Sequence, residues 1–111
     1  MNNRKILKTI KDDFIGTIIL IIDEEKEFKG NLKEFFEESK DFYCEEYNVK
    51  KEDLNFNNIR LSMSIIDLIA EGFSIDIIDD KGNRFNQSSM HIIDGLINAY
   101  DLIDRDIVIY K

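Results

Sequence analysis

His91 is the one imidazole in the chain, and its neighbours decide whether it can do chemistry. Nucleophilic catalysis needs a base in hydrogen-bond reach of a nucleophile and a third group that orients the base. Asp94 follows three residues on, on an adjacent helical face, and Ser88 and Ser89 lie within one turn. Serines that open a helical pattern are explained by capping. We read His91 as a surface or capping residue and expect no enzyme. A small-ligand module or enzyme would instead need a deep pocket lined by His91, Asp94 and Tyr100.

Metal chemistry is no better supplied. A zinc site takes about four ligands at characteristic spacing, and the single Cys44 stands far from His91 in sequence. Asp76 to Gly82 approaches a calcium loop, but Ile77 and Ile78 break the alternation of oxygen ligands that such a loop requires. The glycines at 16, 30, 72, 82 and 95 are isolated, so no phosphate-cradling loop is present. No cofactor and no metal are expected. Cys44 is followed by Glu45 and Glu46, which disfavour a thiolate, so it reads as a partly buried structural thiol. The doubled acids Asp12-Asp13, Glu37-Glu38, Glu45-Glu46 and Asp79-Asp80 diverge on any regular element and do not form catalytic pairs.

What remains is a stripe of carboxylates. Over Leu32 to Tyr47, at about 100° per residue, Glu34, Glu37, Glu38, Asp41 and Glu45 fall within an arc of roughly 100°. Leu32, Phe35, Phe36, Ser39 and Tyr43 fall opposite. Glu34–Glu38, Glu37–Asp41 and Asp41–Glu45 are like-charge pairs four residues apart, each costing about 0.2–0.5 kcal/mol. The plain reading is a solvated face that keeps the chain soluble. The sharper one is a surface for a basic partner. Glu34 to Glu45 spans about 16 Å of helix axis, or one carboxylate per ~4 Å, close to the ~3.4 Å phosphate spacing of a DNA strand.

Elements must hold that stripe in place. Lys5 to Asp12 has Ile6, Leu7 and Ile10 at helical spacing, with Asn2 or Asn3 as cap. Phe14 to Ile22 is continuously apolar and β-branched, which predicts a strand covered on both faces. Asp23 to Gly30 reads as a loop. Asn31 caps the acidic helix, with Glu34 at the capping-box position, and Asn48 stops it. Residues 48–58 form a connection. Ile59, Leu61, Met63 and Ile65 alternate as in a strand, but the apolar pattern from Ile65 to Ile69 favours a helix from about Ser62 to Glu71, ended by Gly72. Phe73 to Ile78 is a half-buried strand, 79–83 a turn, and Arg84 to Asn86 its return arm. A helix capped by Ser88 or Ser89 carries Ile92, Ile93, Leu96, Ile97, Tyr100 and Ile103 on one face. Asp106 to Tyr110 is a short final strand. The predicted fold class is α+β: a small three- to four-stranded sheet with three to four helices packed mainly on one face.

The 111 residues suit one domain, 1–111, long enough for a core without staples. The net charge is −8, and residues 23–53 hold twelve acidic and six basic residues. That balance argues against direct contact with nucleic acid or anionic membrane. One cysteine forms no intrachain disulfide, no secretory leader is apparent, and the longest apolar run is half a membrane span. A cytoplasmic location is expected. The reading with most support is a small acidic inhibitor, in its most concrete form an immunity protein that neutralises a basic toxin, such as a nuclease, by electrostatic occlusion. Glu34, Glu37, Glu38, Asp41 and Glu45 would carry it, joined by Asp79 and Asp80. The alternatives are a phage-type, anti-CRISPR-like DNA mimic, a structural subunit, and the small-ligand module above.

Overall fold

The computed structural model describes residues 3–54, 58–87 and 102–111. Along the chain run α1 (Asn3–Glu25), β1 (Glu27–Gly30), α2 (Leu32–Tyr47), a 3-10 turn (Lys51–Asp53), α3 (Asn58–Ala70), β2 (Ser74–Ile78), β3 (Arg84–Gln87) and β4 (Ile107–Tyr110). The four strands form one antiparallel sheet in the order β1-β4-β2-β3. The α+β expectation holds: three described helices share one core with one face of this sheet.

The expected strand over Phe14–Ile22 is instead the second half of a 23-residue helix. Ile10, Phe14, Ile18 and Ile22 repeat every four residues, and all are buried. This spacing continues the pattern begun at Ile6 without a break. The run looked like a strand because α1 packs against three elements, β1, α2 and α3. A helix covered on several sides is apolar on several sides, and a short apolar run cannot reveal its own period. Lys26 then ends the helix with φ of 76°, so the expected loop over Asp23–Gly30 shrinks to one residue between α1 and β1.

The acidic helix has the expected bounds. Asn31 Oδ1 accepts the Glu34 backbone N–H at 3.1 Å, and Asn48 closes the other end in the left-handed region. Residues 59–70 are helical, and α3 begins earlier than expected. It stops at Gly72 (φ 99°), where Gly72 N–H donates to Ile69 O and Phe73 N–H to Leu68 O. Phe73 and Leu68 are both buried, which completes the paired bonds and apolar contact of a Schellman stop. The hairpin β2–β3 and the strand β4 form where expected. The helix expected after Ser88 lies outside the described residues except at its end, where Leu102 and Ile103 are buried.

The core is aliphatic with an aromatic seam. Phe14 of α1 meets Phe36 of α2 edge-on, and Phe35 meets Phe28 of β1, with centroids 5.5 and 5.3 Å apart. Phe36 also stacks on Tyr43 at 5.9 Å. These rings pin α2 to α1 and the sheet, and they decide which face of α2 looks outward. Among the described residues no helix is long and apolar enough to cross a membrane.

Candidate functional site: the acidic face of α2

On α2, Leu32, Phe36 and Tyr43 are buried, with Phe35 and Ser39 half-buried, as the arc demands. Glu34, Glu37, Glu38, Asp41 and Glu45 are all exposed on the opposite side. The helix therefore does bring these five together. Two of them are engaged: Glu37 pairs with Lys40 at 3.1 Å, and Asp41 with Lys51 of the 3-10 turn at 2.9 Å. The Asp41 carboxylate raises the Lys51 pKa by direct hydrogen bonding and by its charge. Glu34, Glu38 and Glu45 form no ion pair among the described residues. Glu34 and Glu38 border a shallow cavity of ≈ 180 Å³ with Phe28 and Lys29.

Asp79 and Asp80 stand elsewhere. Their hairpin joins β2 to β3, whereas α2 follows β1, and these are opposite ends of the strand order. Asp79 is occupied with its own turn. Its Oδ1 accepts the backbone N–H groups of Asn83 (2.8 Å) and Lys81 (2.9 Å), and Oδ2 accepts Asn83 Nδ2 (3.3 Å). These donors, led by the Asn83 N–H, hold the carboxyl below the usual carboxylate range. Asp80 is exposed at the tip. His91, Asp94 and Tyr100 lie outside the described residues.

A second polar cluster escaped the sequence reading. Asp76, 8% exposed, lies on the sheet face away from Ile75 and Ile77. Its Oδ1 accepts Asn86 Nδ2 and the Tyr110 hydroxyl, each at 3.0 Å. Its Oδ2 accepts Arg84 Nε at 3.1 Å, and Arg84 Nη2 stands 3.0 Å away. Arg84 reaches on to Glu27 at 3.3 Å and lies 5.5 Å over the Tyr110 ring. The group thus links all four strands. Burial pushes the Asp76 pKa up, but the Asn86, Tyr110 and Arg84 hydrogen bonds together pull it further down, so it stays ionised. Both carboxylate oxygens are in use, which suits a structural anchor rather than a proton-transfer base. The hairpin register contained half of this cluster: a turn over 79–83 places Asn86 opposite Asp76, with Arg84 diagonal to it.

Comparison with protein-family models, characterised proteins and solved structures finds no match. The functional reading therefore rests on the chain's own surface chemistry. Among the described residues no three His, Cys, Asp or Glu side chains gather where they could hold a metal ion. Cys44 is half-buried on α2.

Proposed function

We propose that this chain is a small acidic inhibitor that binds a basic protein, in the manner of an immunity protein that neutralises a toxin such as a nuclease. What supports the reading is the outward face of α2, which five exposed carboxylates share while the aromatic seam fixes the helix behind them. Clustered charge of one sign repels itself within the chain, and an opposing basic surface relieves that repulsion. The mechanism is steering of the partner by the acidic field, then occlusion of its basic cleft. No catalytic step is assigned to the chain.

The engagement of Glu37 and Asp41 by lysines favours an inhibitor over a DNA mimic, because cations interrupt a regular row of anions. The test is a pull-down from the native host followed by affinity measurement on the isolated partner. Reversing Glu37, Glu38 and Asp41 to Lys is expected to weaken binding at least tenfold, and unchanged affinity sinks the assignment. Duplex DNA that competes with the chain for the partner would turn the reading to mimicry.

A further inference from the structure

The middle of α1 carries a glycine that the fold does not use. Gly16 lies inside the helix, where Gly costs about 0.5–1 kcal/mol against Ala. A Cβ built there meets nothing within 4 Å, so no neighbour requires its absence. Two concavities meet at this point. One, ≈ 550 Å³, lies between α1 and α2 and includes Thr17, Leu20, Phe42 and Tyr43. The other, ≈ 420 Å³, lies between α1 and α3 and includes Ile15, Ala70 and Glu71. Gly16, Asp12 and Ile19 line both. Leu20 and Phe42 are 63% and 61% exposed, the largest exposures of any described large apolar side chain.

We propose that this joined groove, floored by Gly16 and Ile19 and walled by Leu20 and Phe42, is the docking site for a basic amphipathic helix of the protein partner. The inference rests on the proposal of a basic partner and moves the specific contact from the α2 stripe to α1. Helix-in-groove recognition needs apolar anchors and a floor low enough for close approach. The bare Gly16 backbone supplies the second. Asp12 to Leu20 measures about 12 Å, room for two turns of a partner helix. Charge selects the occupant. Asp12, Asp13 and Glu71 border the apolar floor without an ion pair among the described residues, whereas Asp67 is paired with Lys11 at 2.9 Å. A second copy of the chain would set these carboxylates against themselves. Lysine and arginine beside apolar anchors complete them.

The probe is a fluorescein-labelled 18-residue peptide of Leu and Lys, its leucines at helical spacing, read by anisotropy against the full chain. A peptide of equal composition with scrambled order controls for bulk charge. The ordered peptide should bind more tightly than the scrambled one by about tenfold or more. Gly16→Leu, which fills the floor, and Phe42→Gln, which removes the exposed ring without adding charge to α2, should each remove that advantage while circular dichroism shows the fold kept. Gly16→Ala should weaken binding less than Gly16→Leu. Equal binding of the two peptides overturns the groove, as does ordered binding that survives both Gly16→Leu and Phe42→Gln. Binding abolished only by reversing Glu37, Glu38 and Asp41 overturns the groove but keeps the basic-partner reading. A dimer in sedimentation that Leu20→Glu dissociates assigns the face to self-association and overturns the proposal.

Discussion

Asp76 is the side chain on which most of the polar chemistry converges, and it answers to pH in one direction. Its carboxyl is held below the ordinary 3.8. A depressed folded value means the stabilisation is fully present above the unfolded pKa and is lost as pH falls through the folded one. The stability difference between wild type and Asp76→Asn should be flat from pH 8 to 5 and collapse below about pH 4, as read by urea midpoints across that range. Asp76→Ala strands Arg84, Asn86 and the Tyr110 hydroxyl, and should cost about 1–3 kcal/mol near neutrality. A loss under 0.5 kcal/mol in the same titration would show that water replaces the carboxylate. Tyr43 also titrates out of range. Burial, then the Asp13 charge, pushes its phenol up to about 12 against a weaker Thr17 hydrogen bond, so it stays neutral on the buried side of α2.

The helices show what local sequence can and cannot specify. Both ends of α2 were legible, since Asn31 and Asn48 act within one turn of the residues they cap. So was the stop at Gly72, where φ of 99° excludes most side chains. Asn31→Ala should lower stability by about 1 kcal/mol, visible as a fall in melting temperature. The centre of α1 was not legible, because its apolar run reflects the neighbours it packs against rather than its own backbone preference. Gly16→Ala there should raise stability by up to about 1 kcal/mol, measurable by chemical denaturation. Lys26 holds a left-handed φ of 76° at the end of the same helix. Lys26→Gly should therefore stabilise the chain, by about 0.5–1 kcal/mol, in the same assay. The carboxylate stripe was readable as a face because period and capping fix it. The groove beside it was not, because it depends on how three helices meet.

At the scale of the whole molecule, charge and topology set the behaviour. The chain measures 43 × 29 × 26 Å and carries −8. At low ionic strength that charge repels itself, and the Debye length shrinks from about 30 Å at 0.01 M salt to about 10 Å at 0.1 M. The melting temperature should therefore rise over this range, whereas the association rate with a basic partner should fall. Stopped-flow and thermal scans at matched salt check both signs. Fold class was legible in the sequence, but strand order was not, because pairing partners are set by tertiary contacts. That order has one further consequence. β4 is made last of the four strands yet sits inside the sheet, between β1 and β2. During synthesis β1 and the β2–β3 hairpin must wait, each with an unsatisfied edge, until Ile107–Tyr110 has emerged. Those waiting edges are templates for wrong pairing, so the nascent chain is most exposed to aggregation and to chaperones just before its final strand arrives.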